Sequence, residues 1–247
     1  MSATRPFVLS IAGMDPSGGA GVLADIKTFE ALKVYGFGVV SALTIQNDVS
    51  LKSLDWLPQQ NIISQVEVLF ERFTIPVCKI GIMPSVEALL ELIDFLRSCN
   101  PTMKIVVDPV LRSSSGFIFQ EQSDKIKWKQ VLNKVTLLTP NYDEMQALAN
   151  GDHIGDWSKE GNILLKGGHD PDKKGWDTLH CQHAGIRQIE PAAKQISEKH
   201  GSGCVLSSAI AAHLALGDTL YDACKKGKLY TEQFLSSHKG LLGYHFA

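Results

Sequence analysis

The segment Ile105-Val106-Val107-Asp108-Pro109 sets three β-branched residues side by side, then turns abruptly to an acid and a proline. A strand that is apolar on successive residues has both faces covered, which is the situation of a parallel sheet inside an α/β protein. The same form recurs on either side of it. Phe7 to Ala12 ends in Gly13, and Val77 to Gly81 is a short buried strand. Val135 to Leu138 ends in Thr139-Pro140-Asn141, and Ile163 to Leu165 ends in Lys166-Gly167-Gly168. Gly38 to Ile45 is β-rich. Helical patterns lie between these runs: Val22 to Leu32, Ile62 to Phe73, and Val86 to Leu96, whose apolar residues fall at 86, 89, 90, 93 and 96. The last strong element is a helix after Gly203.

Strands alternating with helices predict an α/β fold: a three-layer, doubly wound, mostly parallel sheet with helices on both faces. With 247 residues and no linker, one domain over 1–247 is expected. Gly13, Gly81, Asp108, Asn141 and Lys166 each stand at the C-terminal end of a predicted strand, the edge where open α/β sheets bind ligands. Five separate segments are therefore expected to converge on one crevice.

Composition excludes several classes. The net charge of −2 gives no bulk attraction for nucleic acid. No apolar run approaches the roughly 20 residues that span a bilayer, and the N-terminus lacks the long apolar region of a signal peptide. The five cysteines (78, 99, 181, 204 and 224) are scattered without a CxxC pair, which fits a reduced, cytoplasmic protein.

His200-Gly201-Ser202-Gly203-Cys204 runs straight into the apolar stretch Val205 to Leu216. A glycine turn entering a helix offers unpaired N–H groups at the positive end of the helix dipole, so it is an anion site. A cysteine there is expected to be acidic and reactive. The loop is neither a P-loop nor a dinucleotide fingerprint, since no Gly-Lys-Ser/Thr follows and Leu206 stands where a third glycine would be. A plain turn with a small buried cysteine is the competing reading.

The other candidates divide in the same way. Asp108 suits Mg²⁺, or begins a turn before Pro109. Asn141 and Glu144 share a face and suit a metal-bound water and a phosphate oxygen, or form a capping box, or both. Lys166 suits a transferring phosphoryl group, or is a snorkelling surface residue. Gly18, Gly19 and Gly21 permit close backbone approach, or make a turn. Asp25 and Gln46 suit the polar edge of a flat heterocycle, or lie on the surface. His180-Cys181-Gln182-His183 lacks zinc spacing, and Lys225-Lys226-Gly227-Lys228 reads as a solvated helix end.

Taken in order, Ser10-Ile11-Ala12-Gly13-Met14-Asp15-Pro16-Ser17-Gly18-Gly19-Ala20-Gly21, Ala24 to Thr28, Ala42 to Asn47, Lys79-Ile80-Gly81, Val107 to Val110, Leu138 to Asn141 with Glu144, Leu165 to His169 and the Gly-Ser-Gly-Cys loop resemble a known signature. It is that of the hydroxymethylpyrimidine/phosphomethylpyrimidine kinases of thiamine biosynthesis, which are ribokinase-like. The resemblance implies ATP-dependent phosphorylation of 4-amino-5-hydroxymethyl-2-methylpyrimidine and then of its monophosphate, with Mg²⁺, in a cytoplasmic homodimer. It implies an anion hole at Gly201, Ser202 and Gly203, with Cys204 activating the substrate hydroxyl. Asp108 and Glu144 would hold the metal. Lys166 would neutralise the γ-phosphoryl, with Asn141 and Gly168 beside the nucleotide phosphates. Gly13, Ala20, Asp25, Gln46 and Val110 would line the pyrimidine pocket. Ser202 for threonine, Met14 for Ser or Thr, a short Glu144–Lys166 interval and an early end after the last predicted helix depart from the family pattern. A pyridoxal kinase of the same fold and a non-catalytic heterocycle sensor are the competing functions.

Overall fold

Val8 and Leu9, neighbours on the first strand, are both fully buried but belong to different cores, one on each face of the sheet. Val106 and Val107 divide in the same way. The computed structural model describes residues 5–113, 115–119, 124–169, 174–193 and 195–246.

The chain runs β1 (Phe7–Met14), α1 (Gly21–Ala31), β2 (Tyr35–Gln46), β3 (Leu51–Trp56), α2 (Gln59–Phe70), β4 (Val77–Ile80) and α3 (Val86–Cys99). It continues through β5 (Lys104–Val107), α4 (Lys125–Lys134), β6 (Leu137–Leu138), α5 (Tyr142–Ala149), α6 (Ile154–Trp157) and β7 (Ile163–Leu165). A 3-10 turn (Gly167–His169), β8 (Asp177–Cys181), β9 (Gly185–Ile189), α7 (Ser202–Ala215) and α8 (Leu220–Leu235) complete it.

One sheet holds the strands in the order β3-β2-β1-β4-β5-β6-β7-β8-β9. The pairs from β2 to β7 are parallel. β3 at one edge and β8 and β9 at the other are antiparallel. The order reverses at β1, because the chain goes out to β2 on one side and returns to β4 on the other. That is the switch point at which doubly wound sheets open a crevice beyond their strand ends.

Helices α2, α3 and α4 cover one face, with Ile62, Leu92 and Val131 in its core. Helices α1, α7 and α8 cover the other, with Phe29, Ile210 and Cys224. Helix α7 lies between the sheet, α1 and α8. It is buried almost all round, which is why its sequence is apolar throughout instead of amphipathic.

Two expectations need correction. The last helix is α8, 16 residues long, which follows the predicted final element. The lysine run within it lies mid-helix instead of at an end, and only Lys225 and Lys226 are solvated. Lys228 is buried mid-helix, with its ammonium on the Gly175 carbonyl, 3.1 Å from Asp177 and 3.4 Å from Glu232. A helix packed against a sheet edge can bury a lysine where carboxylates and a carbonyl meet it. His180 is buried on β8 while His183 sits in the β8–β9 turn.

Candidate active site

A cavity of about 570 Å³ opens at the C-terminal ends of the strands. Gly13, Gly81, Asp108, Asn141 and Lys166, the five strand-end residues, all line it, together with Gly201, Ser202, Gly203 and Cys204.

The helix start forms one wall. Gly201 precedes α7 with φ +76°, and a Cβ there would stand 2.0 Å from the Gly19 carbonyl oxygen. Only glycine satisfies both conditions. No side chain caps this end. First-turn N–H groups are therefore available to an anion, and the dipole favours one. The loop is held from behind by Asp15, whose carboxylate lies 2.8 Å from His200 Nε2 and accepts hydrogen bonds from Ser17 and Ala20 N–H. Burial opposes the charge on Asp15, but these hydrogen bonds outweigh it and hold the carboxyl down at about 2. The Asp15–His200 link thus ties the N-terminal glycine turn to the helix-start loop. Gly21 begins α1 at φ +61°, where a Cβ would meet the Gly13 carbonyl at 2.1 Å.

A largely buried lysine flanked by acids forms the opposite wall. Lys166 Nζ is 2.8 Å from Asp108 Oδ1 and 3.6 Å from Glu144 Oε2. Burial alone would lower the Lys166 pKa, yet the two carboxylates raise it above its usual value, so it is a fixed positive charge. Burial likewise works against Asp108, but Lys166 and Lys79 keep it ionised below the usual carboxylate range. Burial, aided by the charge on Asp108, holds Glu144 above that range despite Lys166. Asn141 accepts a hydrogen bond from Glu144 N–H at 2.8 Å, and Glu144 accepts one from Asn141 N–H at 2.7 Å. This reciprocal capping box fixes both residues at the start of α5, facing the cavity. A Cβ on Gly203 would lie 3.5 Å from both Asp108 Oδ2 and Lys166 Nζ, so the two walls nearly touch here.

Cys204 faces the cavity, but its expected acidity is not found. Burial pushes its thiol up to about 11, outweighing the pull of Lys79 and a hydrogen bond from Gly21. Desolvation at this depth exceeds what the helix dipole offers.

Ala20, Gln46 and Val110 also line the cavity, beside Thr44, Leu51, Ile82, Leu111 and Phe119. Asp25 and Gly168 do not. Asp25 is fully buried below the floor, where it takes Lys79 Nζ at 2.8 Å and the hydroxyls of Ser10 and Ser208 at 2.5 and 2.6 Å. It supports the floor instead of meeting a ligand. Gly168 is exposed in the 3-10 turn beyond Lys166. Sequence reading missed Asp15, Lys79, Arg112, Lys199 and His200 as lining residues. Lys79 carried a usable signal, since a lysine inside Val77-Cys78-Lys79-Ile80 must find a buried partner.

Among the described residues, no cluster of three or more His, Cys, Asp or Glu side chains forms a metal cage. The oxygen donors Asp108 and Glu144 nonetheless fit Mg²⁺, which commonly takes one or two carboxylates and completes its shell with water and substrate phosphates.

Comparison with known proteins agrees with this geometry. The sequence model of the phosphomethylpyrimidine kinase family matches residues 15–246. A hydroxymethylpyrimidine/phosphomethylpyrimidine kinase of Aquifex aeolicus is 34% identical over 250 residues, covering 95% of this chain and 96% of that protein. A chloroplastic thiamine biosynthetic bifunctional enzyme of Arabidopsis thaliana is 32% identical over 96% of this chain. The chain spans about half the length of that enzyme and of similar bifunctional relatives. The crystal structure of a phosphomethylpyrimidine kinase from Clostridium difficile 630 superposes with a TM-score of 0.76 at 32% identity, covering 92% of this chain and 98% of that one. A Staphylococcus aureus pyridoxal kinase in complex with AMP-PCP and pyridoxal gives 0.79 at 25% identity, covering 94% and 88%. The fold is therefore that of the ribokinase-like kinases.

Proposed function

This chain belongs to the phosphomethylpyrimidine kinase family, and from that premise we propose that it phosphorylates a hydroxymethylpyrimidine with ATP, and then the resulting monophosphate. The observation that carries the reading is Lys166, held between Asp108 and Glu144 and facing the open start of α7 across one cavity. Phosphoryl transfer asks for this: fixed cations and N–H donors around a group whose charge is spread over its oxygens.

The apolar walls at Val110, Leu111, Ile82 and Phe119 suit a flat ring, and Gln46 suits its polar edge. The acceptor hydroxyl then lies against Cys204, whose thiolate form takes the hydroxyl proton as the acceptor oxygen bonds to the γ-phosphorus and the bond from that phosphorus to the bridging oxygen breaks, releasing ADP. N–H groups from Gly201 to Cys204 meet the phosphoryl oxygens, and Lys166 offsets their charge. Asp108 and Glu144 would hold Mg²⁺, which would supply positive charge to shield the nucleotide phosphates. Asn141 keeps Glu144 in place for this. Most of the rate enhancement comes from positioning and charge, because a loose transition state asks little of a base.

The homodimer and the cytoplasmic location belong to the same proposal. Leu43 and Ile45 on β2 are 53% and 58% exposed, which suits a surface covered by a second copy. Five unpaired cysteines suit a reducing compartment.

The test is an assay of the full chain with ATP, Mg²⁺ and each acceptor, following ADP release and the mass of the product. Product from the alcohol is expected, and none from either acceptor overturns the reading. Pyridoxal is a second substrate to measure, because a pyridoxal-bound kinase shares the fold. The ratio of kcat/KM for the two alcohols decides between them.

A further inference from the structure

We propose that Arg112 recognises the phosphate of the monophosphate acceptor, making it a determinant of the second phosphorylation. The inference rests on the kinase reading above.

It follows from where the cavity's charges are already committed. Lys79 is matched by Asp25, Lys166 by Asp108 and Glu144, and His200 by Asp15. The Lys199 ammonium rests on the His238 carbonyl. Arg112 alone among the lining cations has a charged head with no hydrogen-bond or ion-pair partner among the described residues. The exposed lining acid Asp143 sits on α5, next to Glu144, and makes no pair with it.

Arg112 is also on a prepared support. Residues 111–113 pair antiparallel with residues 117–119 as a small hairpin, with Ser113 N–H donating to Phe117 O at 2.8 Å, Phe119 N–H donating to Leu111 O at 2.9 Å, and a bridge between Arg112 and Ile118. Leu51 N–H donates to Ser115 Oγ at 3.2 Å, which ties the hairpin to the start of β3. The backbone of Arg112 is thus fixed while its guanidinium has no partner among the described residues. The hairpin follows directly from Val110 and carries Leu111 and Phe119, walls assigned to the acceptor ring.

The two acceptors differ in what they demand. The alcohol brings no charge. The monophosphate brings about −1.5 to −2 at neutral pH, next to the nucleotide's own phosphates. Lys166 is shared by two carboxylates and has little surplus charge to meet it. A free guanidinium fork matches phosphate oxygens in charge and in geometry.

The experiment compares wild type, Arg112→Gln and Arg112→Lys for kcat/KM with each acceptor at saturating ATP and Mg²⁺. It also measures the affinity for the monophosphate alone by calorimetry. For Arg112→Gln we expect monophosphate affinity and kcat/KM to fall roughly 10- to 100-fold, with the alcohol within about threefold of wild type. Arg112→Lys should recover part of the loss. An unchanged ratio between acceptors overturns the assignment, as does an equal loss on both with a raised KM for ATP. So does a wild type active on the alcohol but inert on the monophosphate. A wild type inert on both overturns the kinase reading itself, and the assignment with it.

Discussion

Lys79 Nζ lies 2.8 Å from Asp25 Oδ2, with neither side chain exposed to solvent. The pair forms the floor of the cavity, since Lys79 lines it and Asp25 stands behind. Burial alone would strip the lysine of its charge, and the Asp25 carboxylate more than offsets this.

Removing one partner leaves the other charge buried and alone. Asp25→Asn is expected to lower stability by about 3–5 kcal/mol, read as the shift in a urea unfolding curve. Replacing both partners together, as Asp25→Leu with Lys79→Met, should recover part of the loss. A single Asp25→Asn variant as stable as wild type would remove the pair from the account of the fold.

Two glycines of the helix-start loop should respond differently to alanine. At Gly201 the positive φ and the 2.0 Å approach to Gly19 leave no room, so Gly201→Ala should lose both stability and phosphorylation. At Gly203 the nearest atoms lie at 3.5 Å, an ordinary contact. Gly203→Ala should melt within a few degrees of wild type, yet its methyl group lies against both Asp108 and Lys166, where the phosphoryl would sit. We expect kcat to fall about 100-fold, the scale of a 1 Å misplacement. Calorimetric melting beside steady-state kinetics separates the two cases.

The thiol of Cys204 is held up at about 11 by burial, so it is neutral at pH 7. If its sulfur takes the hydroxyl proton, kcat/KM should climb between pH 7 and 10 as the thiolate fraction grows, and Cys204→Ala should flatten that climb and cut kcat about 100-fold. Alkylation of this cysteine, followed on its peptide by mass spectrometry, should trail an ordinary thiol at every pH below 10. Its folded pKa exceeds the ordinary value of 9.0. The stabilisation it reports is therefore complete below pH 9 and lost as the pH rises from 9 to 11. A wild-type profile that stays flat to pH 10 contradicts the proposed proton transfer.

Asp108→Asn keeps the shape of the site and removes one of the two acids assigned to the metal. Half-saturation by Mg²⁺ should move up by at least the roughly 10–100-fold typical of losing a metal's supporting groups. Titration of activity against Mg²⁺ at fixed ATP reads this directly. An unaltered titration would take Asp108 out of the metal site.

Much of the fold and the site was legible in the chain. Continuous β-branched runs such as Ile105-Val106-Val107 pointed to a buried parallel strand, because only a sheet covered on both faces tolerates them. The polar residues just past these runs, Asp108, Asn141 and Lys166, had to share one sheet edge, since parallel strands all end there. The capping box of Asn141 and Glu144 was readable because its partners lie within one helical turn. Helix α4 and the β8–β9 hairpin were not, as their short or charged sequences carry little periodic signal.

The tertiary structure alone decided which charges meet. Lys79 is 54 residues from Asp25, and His200 is 185 from Asp15. No local pattern encodes such pairings, because they depend on which strands and loops the sheet order brings together. They moved Asp25 from the ligand pocket to the floor beneath it. Packing also reversed the expectation for Cys204, where the helix start predicted an acidic thiol and burial made a weakly acidic one. The sequence determined the groups and the edge they occupy. Their solvation and partners, which set charge and pKa, came from packing between segments far apart in the chain.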